Sequence, residues 1–122
     1  MHVVNSRYSF DECEGRLREA VKSAGMTMFA EVDHGKNAAQ VGLQLCRAKV
    51  FIFGNPRAGG LLMQEKIDIS YDLPLRVAIW ESGDGTRVAF RTPGEIAAEH
   101  GVTHSVVAKM DENFNRVLNE IT

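Results

Sequence analysis

The chain has 122 residues, 44% of them hydrophobic, which is enough for one compact core. Its 14 basic and 16 acidic residues nearly balance, which argues against a nucleic-acid partner because the basic surface that binds phosphate backbones is missing. No apolar run reaches the roughly 18 residues of a membrane helix, and the N-terminus does not resemble a secretory leader. We expect one domain, residues 1–122, located in the cytoplasm without membrane contact.

The N-terminal part predicts a strand followed by a capped helix. Residues 2–8 suit a short strand. Ser9 and Glu12 have the spacing of a capping box, in which the hydroxyl and the carboxylate each accept a backbone N–H at the start of a helix. Apolar residues then recur with helical spacing over 10–24, and Gly25 supplies the left-handed residue that ends a helix.

The central part predicts two strands and two helices. Alternating apolar residues indicate a strand over 26–32, and a short helix is expected over 38–45. Residues 48–53 are nearly all apolar, which is typical of a strand covered on both faces. A helix should follow from 56 to about 67.

The C-terminal part predicts a hairpin and two helices. Two strand patterns, 75–81 and 86–91, flank a glycine-rich turn. Thr92 should cap a short helix that ends at Gly101, and Thr103, His104 or Ser105 should cap a terminal helix. Amphipathic helices need a sheet face to cover, so the pattern indicates an α+β fold, a mainly antiparallel sheet with helices packed on one face.

Metal and disulfide chemistry find little support in the sequence. Cys13 and Cys46 are too few for a disulfide framework and lie in apolar rows, so both are expected to be free and buried. His100 and His104 have helical spacing, but Gly101 interrupts the helix between them. We predict no metal site, and the sequence identifies no cofactor.

Four motifs occur in a fixed order along the chain: Val32-Asp33-His34, Phe53-Gly54-Asn55-Pro56, Leu62-Met63 and Asp72-Leu73-Pro74-Leu75. In these motifs the chain resembles the bacterial and archaeal family called domain of unknown function 302, which has no established activity. The resemblance implies a curved antiparallel sheet of the general type seen in TATA-box-binding-protein-like domains. It also implies pairing as a homodimer.

The first candidate site is the turn that contains Gly54, Asn55, Arg57, Gly59 and Gly60. Amides at a helix N-terminus can bind an anion, glycines let a ligand approach the backbone, and Arg57 adds a charged donor. A nucleotide-hydrolysing loop is disfavoured, because Gly60 stands where that motif requires lysine. The alternative is structural: Asn55 caps a helix and the glycines allow close packing.

The second candidate site is Asp33-His34, a carboxylate beside an imidazole at a strand end. Such a pair can transfer protons, or it can serve the fold, with Asp33 capping the next helix and His34 bonding locally.

Three functions therefore stay open. The first is a domain that binds a small anionic or apolar ligand at the Gly54–Gly60 turn, with His34 at its edge, so that His34→Ala would abolish ligand binding without lowering Tm. The second is a dimeric structural or regulatory module without a ligand. The third is an enzyme that uses Asp33 and His34 as an acid–base pair. We favour the first.

Overall fold

The computed structural model describes all 122 residues, Met1–Thr122, with five strands and five α-helices. The strands are β1 (His2–Ser6), β2 (Thr27–Asp33), β3 (Ala48–Gly54), β4 (Leu75–Ser82) and β5 (Gly85–Phe90). The helices are α1 (Phe10–Ser23), α2 (His34–Gln40), α3 (Pro56–Glu65), α4 (Pro93–Glu99) and α5 (Val106–Ile121). A short 3-10 helix, Ile67–Tyr71, lies between α3 and β4.

The strands form one curved, open antiparallel sheet in the order β1-β5-β4-β3-β2. A register shift between Met28 and Ala30 marks a bulge in β2, an edge strand. Bulges bend a strand and are common at sheet edges. The predicted α+β class with a mainly antiparallel sheet is confirmed.

The hydrophobic core lies between the sheet and its helices, on one face only. Alternate side chains of the central strands point toward α1 and α5, and the other face is left without helices. This arrangement confirms the prediction that the helices pack on one side. The strand residues that form the buried layer are Phe51, Phe53, Leu75, Val77, Ile79 and Val88.

Phe114 of α5 is the aromatic centre of this core and is fully buried. Its ring lies 6.2 Å from the ring of Phe53 and 5.8 Å from that of Phe90, measured between centroids. These separations are within the range of favourable aromatic pairs. One side chain thus joins the terminal helix to two strands that come from distant parts of the sequence.

The predicted helix signals mostly act as expected. Ser9 accepts the Glu12 N–H at 3.2 Å, and Gly25 takes φ 71° just beyond the end of α1. Thr92 and Glu95 form a full capping box, and the N–H of Thr92 lowers the pKa of Glu95 to about 2. Of the three residues expected to cap α5, His104 does so, because its imidazole Nδ1 accepts the N–H of Val106 at 2.9 Å.

Three sequence expectations are wrong. The second helix spans His34–Gln40 instead of 38–45, because Gly42 turns the chain with φ 80° and leaves Leu43 and Leu45 exposed. Cys46 follows in this loop and is exposed, whereas Cys13 is buried as expected. The helices cover only one face of β3, whereas both faces were expected to be covered. The apolar character of β3 reflects its interior position in the sheet.

Phe114→Ala should reduce the free energy of unfolding by about 3–5 kcal/mol, because it removes a buried ring and leaves a cavity. Chemical denaturation monitored by circular dichroism measures this loss. Asn115→Ala, at the exposed neighbouring position, is the matched control and should change stability by no more than about 0.5 kcal/mol. Equal effects of the two substitutions would contradict the central role of the ring.

Candidate functional site

The glycine turn joins the end of β3 to the start of α3. Gly54 is buried, with Pro74 Cβ 3.6 Å from the position that a Cβ would occupy. Asn55 is the N-cap, and its Oδ1 accepts the N–H groups of Arg57 at 2.9 Å and Ala58 at 3.2 Å. The backbone N–H groups that we expected to bind an anion are therefore already hydrogen-bonded to Asn55.

An apolar cavity of about 220 Å³ lies against this turn. It is bounded by the start of α3, the segment before β4, one residue of α5 and one residue of the edge strand β2. Its walls carry no charged side chain. The lining residues are Phe29, Gly54, Asn55, Pro56, Gly59, Met63, Leu73, Pro74, Leu75 and Met110.

A second cavity of about 150 Å³ lies beside the first and shares Asn55, Leu75 and Met110 with it. It runs between α3 and α5. Unlike the first cavity, it is lined by two cationic side chains, Arg57 and Lys109. We call the two together the turn cavities, an apolar space with positive charge on one side.

The structure brings together four of the residues predicted at the turn. Gly54, Asn55 and Gly59 line the apolar cavity, and Asn55 and Arg57 line the charged one. Gly60 lines neither, since nothing lies within 4 Å of the position of its missing Cβ. Gly60 is therefore outside the turn cavities.

Asp33 and His34 lie elsewhere. In the pairing of β2 with β3, Gly54 is opposite Thr27 whereas Asp33 is opposite Lys49, at the other end of the strand. The two ends are six residue-to-residue steps apart along β2, a distance of about 20 Å. The expectation that His34 stands at the edge of the glycine-turn site is therefore wrong.

The carboxylate of Asp33 caps α2 by accepting the N–H of Lys36 at 2.9 Å. His34 is the exposed first residue of that helix, and its imidazole takes part in no hydrogen bond. The two side chains do not bond to one another. Asp33 thus has the structural role that was one of the two alternatives, the cap of the next helix. The geometry gives no support to an acid–base pair.

Sequence reasoning did not identify the cluster centred on Asp72. One carboxylate oxygen of Asp72 bonds Nε2 of His100 at 2.7 Å, and the other accepts from Arg91 at 2.8 Å. The side chains of Asp72 and His100 are only 12% and 18% exposed. The hydrogen bond with His100 is the largest cause that lowers the pKa of Asp72 below its ordinary value, and that from Arg91 is the next.

The position of Asp72 connects this cluster to the turn cavities, because Leu73, Pro74 and Leu75 follow directly and line the apolar cavity. The only sequence signal was the motif Asp72-Leu73-Pro74-Leu75, which marked the acid without naming its partners. Nowhere do three or more histidine, cysteine, aspartate or glutamate side chains stand together as a set of metal ligands.

Comparison with known families and structures identifies the relatives of this fold. Residues 2–121 match the family described as domain of unknown function DUF302. The crystal structure of an uncharacterized conserved DUF302 protein from Bacillus stearothermophilus superposes with a TM-score of 0.86 over 99% of this chain and 97% of that chain. At 15% sequence identity, this likeness establishes the shared fold.

Curated relatives are longer proteins from Brucella. The chain is 40% identical over 110 residues to fluoride-specific ion channel FluC 1 of Brucella suis biovar 1, and equally to FluC 2 of Brucella melitensis biotype 1. The matches include 88% of this chain but only 43% and 41% of those proteins. The chain therefore spans less than half the length of these relatives. None of its helices combines the length and the apolar character needed to cross a membrane.

Asp72→Asn should destabilise the fold in a pH-dependent manner. Because the folded-state pKa of Asp72 lies below 3.8, its carboxylate contributes fully above that pH, and the contribution disappears as the pH falls through the folded-state value. The wild-type protein should be more stable than the variant at about pH 6, and the two should converge below pH 3.8. Urea unfolding across this range measures the difference.

Asp68→Asn is the control for this experiment, since Asp68 lies exposed in the 3-10 helix and accepts no side-chain hydrogen bond. It should change stability little at any pH. A difference between wild type and Asp72→Asn that stays constant from neutral to strongly acidic pH would contradict the ionic role of Asp72.

Proposed function

Because the chain belongs to the DUF302 family, whose description prescribes no activity, we propose from its cavities that it is a binding domain for a small amphipathic anion. The ligand is an apolar body with one carboxylate. The observation that supports the proposal is the pair of turn cavities, which share three lining residues and differ in the charge of their lining.

The apolar body belongs in the cavity behind the turn. Met63, Leu73 and Pro74 offer it aliphatic surface, and the lining includes no charged group that would have to be desolvated. Together the two cavities reach the lower end of the size range of small-molecule sites, roughly 300 Å³. A short alkyl chain or a single ring suits this space better than a larger metabolite.

The carboxylate belongs beside Arg57 and Lys109. Arg57 is exposed and has no ion-pair partner, while Lys109 stands 3.5 Å from Glu112 on its own helix. Since Asn55 occupies the helix amides, recognition of the anion falls to these two side chains. Charged donors of this kind form the stronger hydrogen bonds to carboxylates.

The similarity to the Brucella proteins does not assign fluoride transport to this chain, because the match includes less than half of each of those proteins. Their name describes the whole protein.

The homodimer implied by the family resemblance stays a prediction. Strands β1 and β2 form the two edges of the sheet, and edge strands present backbone groups that a second copy can pair with. Native mass spectrometry of the purified protein measures the dimer and any retained ligand in one experiment. A monomer at all concentrations would contradict the dimer without affecting the binding proposal.

Gly59→Leu should abolish binding at the turn cavities, tested with octanoate by isothermal titration calorimetry. A side chain at Gly59 starts in ordinary contact, with Met63 Cε at 3.7 Å and Leu73 Cδ1 at 3.8 Å, and extends into the apolar cavity. Gly60→Leu is the matched control, because it places the same side chain one residue along α3 in open space. It should bind octanoate as the wild type does.

Both substitutions remove a helical glycine, so neither should lower Tm. His34→Ala serves as a distant control and should also bind normally, given its location at the far end of the sheet. Equal octanoate binding by wild type and Gly59→Leu would refute the site, as would the absence of binding at millimolar octanoate.

Arg57→Gln and Lys109→Gln should weaken octanoate binding and leave 1-octanol binding unchanged. The alcohol shares the apolar body but lacks the charge that the two cations recognise. We expect a loss of about tenfold for octanoate in each variant. Competition titrations followed by NMR compare the two ligands, with Lys36→Gln at the other end of the sheet as control. Parallel losses for acid and alcohol would contradict the assignment of the charged wall.

A further inference from the structure

The face of the sheet that the helices leave uncovered carries its own pattern. The strand register aligns Val50 of β3, Ala78 of β4 and Ala89 of β5 in one row across that face. Arg76 lies on the same face, two residues before Ala78 in β4. Extending the β4–β5 register by one residue places Arg91 opposite Arg76, as the partner that follows the Val77–Phe90 pair.

The two central alanines create a depression. Because their side chains are much shorter than those around them, a cavity of about 250 Å³ remains above the row formed by Val50, Ala78 and Ala89. Met1 bounds it on the side of the edge strand β1, Arg76 and Arg91 bound it along the strands, and Asp72 and the α4 residue Ile96 also line it. The floor is apolar, and the rim carries two guanidinium groups together with the Asp72 carboxylate that pairs with them.

The guanidinium groups of Arg76 and Arg91 differ in their hydrogen-bond partners. Arg91 donates to Asp72 at 2.8 Å and to Glu99 at 2.7 Å, so two carboxylates hold it. Arg76 reaches Asp72 only at 3.8 Å, makes no side-chain hydrogen bond, and remains 54% exposed. The Asp72 oxygen nearest to Arg76 already accepts from Arg91, and the other oxygen bonds His100. The N–H groups of Arg76 are therefore available to another anion.

We propose that this depression is a second binding site, for a small planar carboxylate such as an aromatic acid. The ring lies on Ala78 and Ala89, and the carboxylate accepts two parallel hydrogen bonds from Arg76, the geometry in which guanidinium and carboxylate pair best. Asp72 and Glu99 hold Arg91 in place, so that only Arg76 moves to meet the ligand. The site is separate from the turn cavities and does not depend on their function.

Trp80 gives this site a built-in reporter. It is the single tryptophan, it lies two residues beyond Ala78 on the same face of β4, and it is half-buried. Benzoate is the probe, and benzyl alcohol is the neutral control of similar size. Benzoate should perturb Trp80 fluorescence in a saturable manner and bind at least about tenfold more tightly than the alcohol.

Arg76→Gln should remove that preference for the acid. Arg87→Gln is the matched control, because Arg87 is on the same face but outside the cavity and pairs with Asp84 at 2.7 Å. Ala78→Leu fills the depression and should abolish binding of both probes, which tests the floor independently of the charge. Gly59→Leu, at the turn cavities, should bind benzoate normally.

Four results would overturn the proposal. The first is no saturable benzoate binding by the wild type, and the second is equal affinity for benzoate and benzyl alcohol. The third is a dimer, detected by sedimentation, that Ala78→Leu dissociates while benzoate fails to bind, which would assign the face to a second copy of the chain. Loss of benzoate binding in Gly59→Leu alone would place the probe in the turn cavities instead.

Discussion

The fold depends on the burial of one face of a five-stranded sheet under α1 and α5. Side chains alternate between the faces of a strand, so a slip of one residue in any pairing would expose the buried layer and bury the opposite one. Phe114 ties this layer together, because its ring contacts aromatic residues of two strands. Burial of the layer thus sets the strand register, and the register places every candidate binding residue.

The turn cavities are a consequence of how the chain leaves that sheet. β3 ends at a buried glycine, and Asn55 starts α3 beside α5. Small and flexible side chains line the space between them, among them Gly59, Met63 and Met110. They do not fill it, whereas the core beneath the sheet is filled by phenylalanine and branched aliphatic residues. A fold that is well packed at its centre therefore retains space where a helix begins.

Asp72 lies between the two proposed sites. Its carboxylate holds the end of α4 through His100 and the end of β5 through Arg91, and the residues after it form a wall of the apolar cavity. On the other side it leaves Arg76 without a close partner at the rim of the open-face depression. One acidic side chain thus shapes both cavities, through the backbone on one side and through charge on the other.

The sequence by itself determined the features that rest on local physical chemistry. Capping residues, helical and alternating periodicity and glycine stops identified all five strands and four of the five helices with near-correct bounds. The α+β class and the family followed from the same residues. The second helix was misplaced because Asp33 caps it earlier than the apolar residues suggested.

Only the tertiary structure decided which of these residues meet. Asp33 and Gly54 lie in neighbouring strands but at opposite ends, a consequence of antiparallel pairing that no local pattern contains. Asp72 and His100 are far apart in the sequence and in contact in the fold. The cavities likewise arise between elements, because the volume left unfilled depends on how helices and strands pack and not on any one segment.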